Sequence, residues 1–305
     1  MKIRNGLAFV TLLYSMNAFA SNWVELNVLV NDEAGIPVED VAVRGFFITD
    51  GLKNVERDSH SDVTNVDGEA RLAGKEEIYV DLETGKPNFY QSKRRQVVNQ
   101  QKSATVKIVL RPKRNPIPMW AKTVVVNARP DLGRENGVQF GYDFVAGDFV
   151  SPNGSGSVSD LLITHSYDKI DSETYSFNIQ VGFSNPGDGL IPFYIEERFR
   201  DSAYRSAYHA PEEGYENVLN LYKARDAEAG TDLGNLDSQR NYYFRVRTVT
   251  NEHGEIISAH YGKIYGEFPS IVYYMNPTPN DRNLEFQPGR NLHKNLGFLE
   301  KVKRP

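Results

Sequence analysis

The sequence contains no cysteine. That absence excludes disulfide staples, thiolate zinc sites, thiol nucleophiles and lipid attachment at a cysteine behind a leader. Exported domains often lean on disulfides, so the whole burden of stability falls on core burial. The six histidines, His60, His165, His209, His253, His260 and His293, are scattered, with no HxH or HExxH pair for zinc or metalloprotease chemistry. No apolar run reaches the roughly 20 residues of a membrane-spanning helix. The formal charge of −5 disfavours phosphate backbones and anionic lipid as partners, so nucleic acid is not expected.

Lys2 and Arg4 precede a short apolar stretch, Gly6 to Tyr14, followed by Ala18-Phe19-Ala20. A basic start, a short hydrophobic core and small residues three apart make residues 1–20 an expected signal peptide. The expected location is therefore periplasmic or extracellular, with no membrane segment after cleavage. Losing Lys2 and Arg4 would take the charge to about −7. The chain has 40% hydrophobic residues, enough for more than one core.

Period-two patterning dominates. Val24, Leu26, Val28 and Val30 alternate with Glu25, Asn27 and Leu29, and Ala104, Val106, Ile108 and Leu110 likewise fall on one face. Asn31 to Gly35 and Thr64 to Gly68 are turn chemistry, and Gly68 supplies the positive φ that such a turn demands. Pro112, Pro116 and Pro118 cannot lie in a central strand, so residues 113–119 read as an extended linker. Beyond it, Tyr175 to Phe183, Asn241 to Thr250 and Ile256 to Tyr265 are strands. In the second of these, Tyr243, Arg245 and Arg247 share one face. Residues 211–229 fit either a helix or a strand. The basic stretch 289–305 reads as a loosely held tail. The fold class is all-β, with two β-sandwich domains at 21–112 and 120–288 and one or two short helices in the connections of the larger.

The segment Gly35-Ile36-Pro37-Val38, the strand through Val41 and Val43, the turn Thr64-Asn65-Val66-Asp67-Gly68 and the closing strand ending at Leu110 resemble the carboxypeptidase regulatory-like domain. That resemblance implies a small Greek-key sandwich of the transthyretin type over about residues 22 to 112, an accessory module without catalytic residues. Residues Asn115 to Met119, Gly141 to Asp143, Phe183 to Gly189, Tyr261 to Gly266 and Asn276 to Asn283 resemble secreted bacterial proteins in which such a domain precedes this second module.

Candidate chemistry is sparse. Asn153 to Ser157 lacks the strand-to-helix context of a serine nucleophile and reads as a flexible loop. Glu196 and Glu197 are adjacent on an expected strand, so their carboxylates point to opposite faces and cannot flank one glycosidic bond. Asp143, Asp148, Asp160 and Asp188 in glycine-rich turns are the candidates for calcium, a metal that asks for six to eight oxygens; no other cofactor is expected. Tyr243, Arg245 and Arg247 are residue types that grip a sugar or a protein, as are Asn280, Asp281, Arg282 and Asn283 on a proline-stiffened loop, where a structural lock is the favoured alternative. The expectation is an exported, non-catalytic binding or structural protein of the bacterial envelope, its partner an envelope protein or a polysaccharide. The alternative is a secreted hydrolase with a site built from loops of the second domain.

Overall fold

In the computed structural model, residues 23–49, 56–75, 78–99, 101–126 and 136–305 are described. The expected signal peptide lies outside them. The fold is all-β, and among the described residues the one helical element is a 3-10 turn at Glu197–Phe199. The glutamates at 196 and 197 thus stand at a helical turn rather than on a strand. The 211–229 ambiguity resolves to a strand, because Leu219 and Leu221 pack inward and the chain pairs with its neighbour along nine residues.

The first seven strands form two facing sheets. Strands β1 (Trp23–Asp32), β4 (Glu69–Lys75) and β7 (Ser103–Leu110) make one, in the order β4-β1-β7. Strands β2 (Ala42–Thr49), β3 (Glu56–Val63), β5 (Tyr79–Gly85) and β6 (Ser92–Val97) make the other, in the order β3-β2-β5-β6. The alternating residues of β1 and β7 fill the space between, with Val24, Leu26, Val28, Val30, Val106, Ile108 and Leu110 all buried. Each such side chain contributes roughly 1.5–3 kcal/mol. At the β-turn before β4, Gly68 has φ +72°, and a Cβ there would lie 2.5 Å from the Val30 carbonyl oxygen. Only glycine fits.

The remaining twelve strands build a larger sandwich. One sheet runs β10-β9-β11-β12-β14-β15, from Asp148–Phe149, Gln139–Asp143, Leu161–Lys169, Thr174–Gly182, Val218–Asp226 and Thr231–Gly234. The other runs β13-β16-β17-β18-β8-β19, from Gly189–Tyr194, Arg240–Thr250, Ile256–Tyr265, Ser270–Met275, Ile117–Val125 and Phe286–Asn291. Its core is aromatic: Phe144 stacks on Phe244 at 4.7 Å and lies 4.6 Å from the Tyr273 ring.

Two expectations about the chain's irregular parts change. The proline-rich connector ends inside β8, which starts at Ile117. Pro118 is tolerated because β8 pairs with β18 only from Trp120 onward, so its missing N–H falls where the ladder is irregular. The 289–305 tail is docked, not loose. The Asn291 side chain accepts from Ala121 N (3.2 Å) and donates to Ala121 O (2.6 Å), replacing a strand's backbone. Lys122 pairs with Glu300 at 2.8 Å, and Tyr274 OH donates to Arg304 O.

Candidate functional site

Two of the four aspartates proposed as metal ligands, Asp143 and Asp160, converge on a guanidinium, and a third, Asp188, holds the backbone beside it. Arg247 donates twice to Asp160 and once to Asp143, each at 2.8 Å. What brings it there is a β-bulge between Val246 and Val249, with Arg247 at φ +56°. The bulge breaks the alternation of β16 and turns Arg247 away from the face of Tyr243 and Arg245. Asp188 accepts the two backbone N–H groups so exposed, Thr248 N at 2.8 Å and Arg247 N at 3.2 Å. Asp143 also accepts from Val145, Ala146, Ser157 and Val158. Burial pushes the Asp143 carboxyl up, but those N–H groups and Arg247 outweigh it and hold the pKa below the usual range. For Asp160 burial outweighs the same guanidinium, and its pKa is raised.

Asp148 lies apart and binds Ser155 through N and Oγ, both at 2.8 Å. Among the described residues no group of three histidines or carboxylates is placed to hold a metal; the lone pairs that calcium would need are turned to N–H donors and Arg247. The same contacts correct the view of Asn153 to Ser157 as a flexible loop: Gly154 and Gly156 let the backbone close onto Asp148 and Asp143, where an added Cβ would come within 2.8 Å of those aspartates.

The expected Tyr/Arg binding face is covered. Tyr243 stacks on Phe193 at 4.2 Å, and its hydroxyl accepts from Ala207 N. Arg245 donates to the carbonyls of Gly187 and Glu212 and lies over the Tyr215 ring. The 280–283 loop is the lock rather than a presented surface. Asn280 clasps the backbone of Ile257 and Ala259, Arg282 donates to Ala210 O and pairs with Glu212, and Asp281 accepts from Asn283 N, whose side chain donates to Asn115 O.

Sequence reading missed the junction of the two sandwiches. The segment after the 3-10 turn runs along β6, the edge strand of the smaller sandwich: Ser202 bridges Ser92, Lys93 N donates to Asp201 O, and Ala203 N donates to Gln91 O. Glu285, 1% exposed, accepts from Tyr90 OH at 2.7 Å and from the backbone N–H groups of Arg114 and Asn115. Arg111 pairs with Glu33 at 3.1 Å, donates to Ser206 O at 2.6 Å, and sits among the rings of Phe199, Tyr204 and Tyr208. Tyr90 stacks on Tyr204, and Tyr208 OH donates to Pro112 O. Each contact joins residues about 80 to 195 positions apart in sequence, so no local motif announces them.

Beside this junction opens a cleft of about 790 Å³, within the size range of small-ligand sites. Phe89, Pro87, Pro116 and Pro288 give it an apolar lining, joined by side chains from 85–93, 200–203 and 303–305.

The junction also holds a serine–lysine pair. Lys263 Nζ lies 3.1 Å from Ser206 Oγ, with the rings of Tyr204, Tyr274 and Tyr265 about it at 4.3, 4.9 and 5.2 Å. Burial, with the neighbouring Arg111, holds the ammonium well below the ordinary lysine range, as a nucleophile's base requires. Yet Lys263 is 0% and Ser206 2% exposed, so a substrate has no approach to either. Of the histidines, His165 packs edge-on to Phe177, and His293, with its pKa pushed down to about 4 by burial and by Lys122, bonds Tyr273.

No protein-family model matches the sequence, and no curated protein matches it. Among solved structures, the chain is similar to a Bacteroides uniformis protein described as a "putative carbohydrate binding protein", at 9% identity, covering 85% of this chain and 98% of that one, with a TM-score of 0.23. A score of that size supports no argument about fold or ligand.

Proposed function

We propose that the protein is an exported, non-catalytic binding protein of the bacterial envelope that takes a polysaccharide into the cleft between its sandwiches. The observation that carries this reading is the cleft itself, about 790 Å³, lined from both sandwiches, with Phe89 and three prolines among its polar and charged side chains. Its rigidity supports the same reading: a ligand-binding wall held by the buried Glu285 and Arg111 networks loses little entropy on binding. The basic start and Ala18-Phe19-Ala20 support export. The smaller sandwich, seven strands in sheets of three and four closed by the Gly68 turn, supports an accessory module of the carboxypeptidase regulatory-like kind.

Catalysis gains no comparable support. The serine–lysine pair is sealed, and the aspartates are engaged by Arg247. The test is a polysaccharide panel with the full mature chain and a Gly85→Trp variant. Gly85 lines the cleft, and only the Gln91 side chain lies within 4 Å of an added Cβ, so a side chain can start there without a backbone clash and the bulky indole is introduced to obstruct the cleft. Retention of a polysaccharide by wild type and its loss in the variant are expected. Equal retention by both would remove the cleft from the account.

A further inference from the structure

The chain is acidic overall, yet the cleft inverts that sign. Six basic side chains line it, Lys86, Lys93, Lys113, Arg200, Lys303 and Arg304. The one carboxylate side chain among them, Asp201, is taken by Arg94 at 3.3 Å. Three of the six already have local partners: Lys93 pairs with Glu83, Arg200 with Glu197, and Lys86 donates to Glu39 O. Lys113, Lys303 and Arg304 form no ion pair among the described residues, and all three are exposed. They come from the connector and from the docked tail, segments about 190 residues apart that meet only because the tail packs on the β8 sheet. A solvated charge run on a loop has no such convergence. Like charges gathered in a concave site repel one another and raise the local potential, an arrangement that an anion relieves.

The geometry points to an acidic polysaccharide, one bearing carboxylate or sulfate groups along its length, as the ligand of this cleft. This rests on the reading of the cleft as the binding site. Carboxylates or sulfates would meet Lys113, Lys303 and Arg304, while the pyranose rings' C–H faces would lie against the apolar lining residues Phe89, Pro87, Pro116 and Pro288. A long nucleic acid is disfavoured because its backbone would leave the cleft and run over an acidic surface.

The test measures binding of the full mature chain to polygalacturonate, a sulfated polysaccharide, a neutral glucan and duplex DNA. Three proteins are compared: wild type, Gly85→Trp, and the triple variant Lys113→Gln, Lys303→Gln, Arg304→Gln. The three glutamines replace exposed side chains, and circular dichroism confirms their fold. The expected result is salt-sensitive binding of an acidic polysaccharide, at least about tenfold weaker in the triple variant and abolished by the tryptophan. Neutral glucan bound equally well, lost with Gly85→Trp but kept by the triple variant, would preserve the cleft and overturn the acidic ligand. Binding untouched by either variant would overturn both. Preference for DNA over every glycan, or no binding at all, would also overturn it.

Discussion

Replacing Arg247 by methionine should expose how the larger sandwich is balanced. The guanidinium makes three 2.8 Å bonds to Asp160 and Asp143, whose side chains are 0% and 4% exposed. Removing one partner of a buried ion pair leaves uncompensated charge and costs about 3–5 kcal/mol. For a domain of this size each kcal/mol moves Tm by about 2–4 °C, so the melting transition should fall by roughly 6–20 °C. The pH dependence has a definite sign. Without Arg247 the Asp160 carboxyl, already raised by burial, loses the guanidinium that opposes the rise, so it titrates higher in the folded state than in the unfolded chain and the variant regains stability as pH falls through that folded value. The gap to wild type should therefore narrow between pH 7 and pH 4. Adding Asp160→Asn should recover part of the loss. Differential scanning calorimetry across pH reads all three effects. A shift equivalent to less than about 1 kcal/mol at pH 7, or a gap that widens on acidification, would refute the view that this arginine compensates buried aspartates.

Other substitutions test the junction and the docked tail. Lys263→Met should raise stability near neutral pH: the depressed folded pKa means that the unfolded chain takes up a proton that the folded one does not, so wild-type stability climbs with pH up to the ordinary lysine value, and the variant should lack that climb in urea titrations from pH 7 to 10. His293, at about 4 folded against about 6.5 unfolded, contributes stability that is present above the unfolded value and lost as pH falls toward 4; His293→Asn should flatten that part of the acid limb. Glu285→Ala strips the acceptor from Tyr90, Arg114 and Asn115, and should loosen the two sandwiches, seen as a larger radius of gyration in solution scattering with the far-ultraviolet spectrum unchanged.

The strands were legible in the sequence because burial in a sandwich imposes a period of two: the β1 valines and the Gly68 turn stand as the alternation and the turn chemistry require. The site candidates were less so. The alternation placed Arg247 beside Tyr243, but one bulge, held by Asp188 from the turn before β13, reverses its side. Nothing within β16 itself marks that bulge, since its cause lies about 60 residues away. Of the aspartates grouped in the sequence, Asp143 and Asp160 do share a partner, but it is the Arg247 guanidinium in place of a metal ion, and Asp148 lies apart. The cleft was invisible because the three of its cations without an ion pair among the described residues, Lys113, Lys303 and Arg304, belong to a linker and a tail that sequence reading left unpacked. The Asn291 clasp on Ala121, the Glu300 pairing and the Tyr274 bond to Arg304 bring the tail into place.

The most direct measurement is hydrogen–deuterium exchange on the full mature chain, with and without a bound acidic polysaccharide. The account predicts slowed exchange confined to residues 85–93, 113–116, 200–203, 287–288 and 303–305, the segments that wall the cleft. Protection that falls instead on the outer sheet faces, with these segments unchanged, would contradict it.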